Sequence, residues 1–154
     1  MNAVTFERWM RRFLLMIVEC LCVGTVIELY LEKHYKETDQ LIPFVLCAIG
    51  FVSVLAVQWR PSRNTIWFLR IVMIAVVLGS LLGGYLHLST NIDFQVEMRP
   101  NQSAVDSFFA ALMGTAPILA PGMLGLAGVL ALAATYYHPV MGKRADDSLA
   151  QTVS

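Results

Sequence analysis

Long apolar runs separated by short polar segments make up most of the chain. Three runs, residues 13–31, 41–59 and 65–88, each approach or exceed the roughly 20 residues that an α-helix needs to cross a bilayer. A fourth apolar stretch follows Ser103 and Asp106, whose spacing is typical of a capped helix start, and it continues to Tyr137. The pattern predicts an all-α chain with four apolar segments.

The fourth segment is too long to cross a membrane once as a straight helix. At about 1.5 Å per residue it would exceed about 50 Å, whereas the hydrocarbon core is about 30 Å thick. Pro117 and Pro121 lie inside it, and each proline removes a backbone donor and crowds the preceding turn. We expect a short interfacial or re-entrant helix over residues 104–113, a break at Pro117, Pro121 and Gly122, and a last span over residues 121–137.

The composition indicates that these segments lie in a membrane. Hydrophobic residues make up 57% of the 154 residues and charged residues 14%, which is too apolar for the surface of a small soluble domain. Eleven basic residues balance eleven acidic ones, so the chain has no net positive field that could bind nucleic acid. We expect a single integral membrane domain over residues 1–154, folded as a four-helix transmembrane bundle within the lipid bilayer.

The distribution of lysine and arginine predicts the orientation of the spans, because cytoplasmic segments near span ends carry an excess of basic residues. Both termini are expected in the cytoplasm, with the connections 32–40 and 89–102 outside. The first apolar run contains Glu19 and is followed by no small-residue cleavage site, so we interpret it as a retained span and not as a signal peptide. The seven basic residues of the cytoplasmic side are Arg8, Arg11, Arg12, Arg60, Arg63, Lys143 and Arg144, and the three of the outer side are Lys33, Lys36 and Arg99.

Two ionisable residues, Glu19 and Arg70, lie within the spans at similar depth. An ionised group in hydrocarbon costs several kcal/mol unless it is paired, so an intramembrane ion pair between them is the most economical arrangement. We interpret this pair first as a pin between two helices and second as part of a transport path. A third alternative is that Arg70 extends to the cytoplasmic headgroups beside a protonated Glu19.

Carboxylates and imidazoles gather on the expected outer side. Glu28 and Glu32 are about one helical turn apart, His34 follows them, and His87 ends the third span. Oxygen and nitrogen lone pairs that converge on a point are suited to a divalent metal or a proton relay. The alternative is that these groups only mark the boundary with water. The candidate ligand or metal site consists of Glu28, Glu32, His34, His87, Asn91 and Glu97.

The outer connection at residues 92–98 alternates apolar and polar side chains, which is typical of a half-buried extended strand. The chain offers no second strand to pair with it. We therefore expect a short extended outer loop that covers the outer mouth of the bundle as a lid. Pairing with the same strand of another subunit is the alternative.

The break in the fourth segment is a second candidate for function. Irregular backbone at membrane depth is tolerated where it is buried in protein or lines a cavity, and a helix start near Pro121 is suited to an anion or polar ligand. The alternative is a kink that fits a long segment into a thin core. Small residues on the third and fourth segments favour close packing, either within the bundle or with a membrane-protein partner or in a homo-oligomer.

Four short strings resemble those of small uncharacterised bacterial four-span integral membrane proteins: residues 28–34, residues 40–43, His87 with Asn91, Phe94 and Glu97, and residues 119–122. The resemblance would cover most of the chain. It implies a bacterial inner membrane and transfers no catalytic or binding residue.

These observations favour a small inner-membrane protein whose acidic, histidine-containing outer face binds a metal or small polar ligand, or which serves a larger membrane complex as an accessory. The alternatives are a purely structural interaction subunit and a small proton-coupled transporter that uses Glu19 or Glu28. The chain shows no nucleophile and base at a meaningful spacing, so an enzyme is not favoured.

Overall fold

The computed structural model describes residues 2–114 and 119–142, and this part of the chain is helical, without a β-strand. The predicted all-α class is therefore confirmed for the described residues. The helices are α1 (Ala3–Leu31), α2 (Ile42–Trp59), α3 (Arg63–Met98), α4 (Ala104–Leu112) and α5 (Leu119–Thr135), and a single 3-10 turn (Asp39–Leu41) precedes α2.

Local capping explains where several of these helices start and stop. The side chain of Ser62 accepts a hydrogen bond from the backbone N–H of Thr65 and forms a capping box at the start of α3. The start predicted at Ser103 is confirmed, because its hydroxyl accepts the N–H of Asp106 at 3.1 Å. Helix α3 ends at Met98, and its C-cap residue Arg99 precedes a proline, a position where helical backbone is disfavoured.

Three of the helices, α1, α2 and α3, are long and apolar enough to cross a membrane. In their most apolar windows only 28% of the residues of α1 and α2 and 33% of those of α3 are buried inside the protein. Most of the apolar side chains therefore face outwards, where water would be an unfavourable solvent and lipid a suitable one. This surface is compatible with a small membrane protein. The shorter α5 has 17 residues, or about 25 Å of helix.

The extended strand predicted for residues 92–98 is wrong, because α3 continues as one helix to Met98. A lone strand leaves its backbone donors and acceptors without a partner, whereas a helix satisfies them within the segment. The alternating pattern has a different consequence in a helix, since it spreads apolar side chains around several faces. Phe94, Val96 and Met98 are accordingly exposed.

Helix α5 packs against α1 and α3, and α2 packs against the same two helices from another side. Their side chains share one core, which includes Val18, Val54, Met73 and Leu124. Small residues bring α3 and α5 close together: a Cβ atom at Gly128 would lie 2.6 Å from Val77 Cγ2 and 3.1 Å from the Met73 carbonyl oxygen.

Helix α4 and the start of α5 follow α3 back in the opposite direction. The buried amide of Asn91 donates to the carbonyl oxygen of Ala111 at 3.0 Å and so fastens the end of α4 to α3. Pro121 and Gly122, which the sequence places at a break, lie in the first turn of α5, where a proline is tolerated because the N–H is free there anyway. Pro117, the other predicted break residue, lies outside the described residues.

Replacing Gly128 by Ala should destabilise the protein by about 1–3 kcal/mol, because the new methyl group meets a backbone carbonyl that cannot move cheaply. Gly122→Ala is the matched control. A Cβ there meets nothing within 4 Å, so no loss is expected. Thermal unfolding of the detergent-solubilised variants, followed by circular dichroism, measures both. Equal stability of the two variants would contradict the close α3–α5 contact.

Candidate functional site

A cavity of about 300 Å³ lies between α1, α2, α3 and α5, at the end of the helices where His34 and His87 are found. We call this end the histidine end. Most of the lining is apolar and comes from leucine, isoleucine, proline, alanine and glycine residues. The polar residues of the lining are Thr25, His34, Gln40, Ser80, His87 and Thr90.

The polar residues form two layers, a floor and a rim. Thr25 and Ser80 form the floor, next to the first turns of α5: Ser80 donates a hydrogen bond to the carbonyl of Pro121, and Gly24, the neighbour of Thr25, faces Met123. His87 belongs to the rim and lies seven residues after Ser80 on α3, which corresponds to about 10.5 Å along the helix axis. The cavity therefore has polar groups at both ends and apolar walls between them.

The hydroxyl of Thr25 is the most unusual group in the floor. The residue is only 1% exposed, and its Oγ1 atom has no hydrogen-bond partner in the described part of the chain. A buried hydroxyl without a partner costs about 1–3 kcal/mol. The Oγ1 atom is itself buried, so the cavity lies beside Thr25 without reaching its hydroxyl.

Two histidines stand together at the rim. The ring centroids of His34 and His87 are 5.8 Å apart, with 43° between the ring planes. The connection that carries His34 turns sharply at Lys33, whose φ of 55° lies in the left-handed region. The side chain of Gln40 accepts the N–H of Lys36 at 3.0 Å and thereby closes this connection beside the cavity.

The structure brings together only part of the predicted ligand or metal site. His34 and His87 meet at the rim, but Glu32 and Glu97 are exposed, and Asn91 is engaged with α4. Glu28 is half-buried and does not complete a cluster. Among residues 2–114 and 119–142 no group of three His, Cys, Asp or Glu side chains is placed to hold a metal ion, so the predicted divalent-metal site is not supported there.

Sequence reasoning missed four lining residues: Thr25, Gln40, Ser80 and Thr90. Two of them could have been noticed. Thr25 and Ser80 are hydroxyl residues inside otherwise apolar runs, where a polar side chain has to find a partner within the protein or a cavity.

At the opposite end of the helices, two arginines hold the C-terminus of α5. We call this the arginine end, after Arg11 and Arg70. Arg11 donates to the carbonyl oxygens of Ala134 at 2.9 Å and Tyr137 at 2.7 Å. Arg70 donates to the carbonyls of Thr135 and Tyr136, the second at 2.8 Å. The last carbonyls of a helix lack partners within the helix and carry partial negative charge. Guanidinium groups therefore stabilise them both by hydrogen bonding and by charge attraction.

The predicted ion pair between Glu19 and Arg70 is corrected by these contacts. Glu19 accepts a hydrogen bond from the side-chain amide of Gln58 at 2.9 Å, while Arg70 is taken up by α5, and no ion pair joins the two within the described residues. Each residue still fastens two helices together, but through a neutral partner. Arg70 bonds to the end of α5 and not to Glu19, because the carbonyls there would otherwise remain unsatisfied.

His138 lies just beyond α5, in the field of the same arginines. Its pKa is lowered from the ordinary value of 6.5, first because burial disfavours the charged ring and then because Arg11 and Arg70 repel it. The folded protein therefore favours neutral His138. The unfolded chain binds a proton there more readily, so this group reduces stability as the pH falls below about 6.5.

Arg70→Gln should destabilise the protein by about 2–3 kcal/mol, because charged donors are lost from two carbonyls at a helix end. Arg12→Gln is the control, since Arg12 is exposed. Thermal unfolding in detergent compares the two variants, and an equal effect would contradict the capping role of Arg70.

The same Arg70→Gln variant should raise the pKa of His138 towards its ordinary value, because one of the two repelling charges is removed. The pKa is measured by NMR titration of protein labelled at histidine, and Arg12→Gln should leave it where the native protein has it. An unchanged pKa in Arg70→Gln would show that Arg70 exerts no charge effect on His138.

No protein-family model, curated protein or solved structure matches this chain.

Proposed function

We propose that the chain is a small integral membrane protein that crosses the bilayer with α1, α2, α3 and α5 and binds a small lipid-soluble molecule in the cavity. The outward-facing apolar surface of the three long helices supports the membrane location. The observation that carries the binding role is a cavity of about 300 Å³ with mainly apolar walls and the His34–His87 pair at its rim.

We propose the orientation from the arginine end. Three exposed tryptophans lie at this end: Trp9, Trp59 and Trp67. Tryptophans are enriched where a membrane meets water. Exposed arginines surround them, which supports a cytoplasmic location for this end and for both termini. Lys143 and Arg144 lie outside the described residues. The resemblance to bacterial four-span proteins favours the bacterial inner membrane.

The walls of the cavity indicate the polarity of the ligand. A volume of about 300 Å³ lies at the lower limit of small-molecule sites, and such sites combine apolar walls with a few polar groups that fix orientation. Leu82, Leu86 and Ile42 line the cavity and are also exposed, so the cavity has apolar side chains on its path to lipid. The sequence predicts a polar ligand, whereas these walls favour a mainly apolar ligand with a few polar groups.

An accessory role in a larger membrane complex is the second candidate, and the last turns of α3 with α4 favour it. These elements extend beyond the cavity and carry large exposed apolar side chains, which a partner protein or a second copy would cover. The side chains are Phe94, Val96, Met98, Val105, Phe109 and Met113.

Closing the cavity tests the binding role. Thr90→Trp places an indole at the exposed rim, and Leu81→Trp places the same group on α3 at an exposed position outside the lining. Protein extracted with its surrounding lipid into polymer-bounded discs is analysed for bound small molecules by mass spectrometry. The native protein and Leu81→Trp should retain a lipid-soluble molecule that Thr90→Trp has lost. Equal retention by all three, or none by the native protein, would contradict the proposal.

A further inference from the structure

We propose that the cavity binds a single-chain amphiphile with a carboxylate head, the chemistry of a fatty acid. The carboxylate lies at the rim beside His34, His87 and Gln40, and the alkyl chain lies against the apolar walls. This inference rests on the proposed function, because it names the class of molecule that the cavity binds. It concerns binding alone and assigns no chemical step.

The two histidines of the rim have hydrogen-bond donors that the protein itself does not use. His34 and His87 both line the cavity, and neither ring makes a hydrogen bond within the described part of the chain. A neutral imidazole has one N–H to donate, and a protonated imidazole has two. The pair therefore brings at least two N–H groups to one end of the cavity.

Gln40 adds an amide group to the same rim. Its side-chain oxygen accepts the backbone N–H of Lys36 at 3.0 Å and that of Glu37 at 3.4 Å, and these bonds hold the amide in place. The amide nitrogen makes no hydrogen bond among the described residues. Thr90 differs, since its hydroxyl donates to the carbonyl oxygen of Leu86 at 2.9 Å. The side-chain donors left at the rim are therefore the two imidazoles and the amide of Gln40.

The charge of the head group follows from what lines the cavity. None of the described lining residues is an aspartate or a glutamate. A cationic head would find no carboxylate to pair with, whereas an anionic head would find three donor groups. A carboxylate accepts several hydrogen bonds through its two oxygens, and an imidazole can take up a proton that balances its charge. A neutral alcohol head would use fewer of these donors.

The size and the walls of the cavity fit a single alkyl chain. A volume of about 300 Å³ holds about ten groups of the size of a water molecule, and a methylene group is of similar size. One chain of about ten carbons therefore fits, and the two chains of a phospholipid do not. A longer chain has a route to lipid past Leu82, Leu86 and Ile42, the lining residues that are also exposed.

The probes are four molecules with straight chains of equal carbon count and different heads: decanoate, decanol, decyl phosphate and decyltrimethylammonium. Binding to the full chain in phosphatidylcholine nanodiscs is measured by equilibrium dialysis, with empty nanodiscs of the same lipid as the blank. The native protein should bind decanoate about tenfold or more tightly than decanol, because hydrogen bonds to a charged acceptor are the stronger ones. Decyl phosphate has a bulkier head, and the quaternary ammonium has no carboxylate to pair with, so both should bind more weakly than decanoate.

Variants of the rim test the head-group contacts. His87→Phe keeps a ring and removes its N–H groups, and the fold loses no hydrogen bond of that ring among the described residues. It should weaken decanoate binding about fivefold or more and affect decanol much less, whereas His87→Gln, which keeps an N–H donor, should recover most of the loss. His138→Phe is the matched control, because that histidine lies at the arginine end. Circular dichroism of each variant checks that the helices are intact.

The outcomes separate this inference from the proposed function. Equal affinity for decanoate and decanol, unchanged by His87→Phe, would overturn the carboxylate assignment and leave the cavity as a general apolar site. Tighter binding of decyl phosphate or of decyltrimethylammonium would overturn it in favour of that head group. Binding of none of the four above the blank would also overturn it, and the fate of the proposed function would then follow from the retention of native molecules in the Thr90→Trp comparison.

Discussion

The C-terminus of α5 imposes the constraint on which the rest of the arrangement depends. The last carbonyl groups of this helix and of the turn after it lack partners within the helix, and guanidinium groups from α1 and α3 satisfy them, two in part-buried and two in exposed positions. This contact fixes the height of α5 relative to both helices. Because Arg70 bonds to the end of α5, the first turn of α5 lies beside Ser80, which bonds to Pro121. The cavity lies between Ser80 and the histidine end.

Much of the fold could be predicted from the sequence, because the apolar runs and the cap at Ser103 are local signals. Helices α2, α4 and α5 lie within two residues of their predicted ranges, whereas α1 begins ten residues before its predicted span and α3 ends ten residues after it. The strand at residues 92–98 was the main error, since a period of two over seven residues does not reveal whether a partner strand exists. Backbone hydrogen bonding, which a side-chain pattern does not describe, decides the matter in favour of α3.

The candidate site was harder to predict, because it depends on which side chains meet across helices. His34 and His87 converge because the connection after α1 and the outer part of α3 lie at the same end of the helices. The carboxylates did not join them, since surface carboxylates remain in water unless a charge or metal draws them inwards. For Thr25 and Ser80 the signal in the sequence is a hydroxyl residue inside an apolar run, and that signal does not tell which cavity the residue lines.

The most direct test of the account is the electron density inside the cavity of the protein crystallised from lipid. The account predicts density for a bound molecule between the apolar walls of the cavity and the His34–His87 pair. A collapsed cavity, or one that holds only disordered solvent, would contradict it.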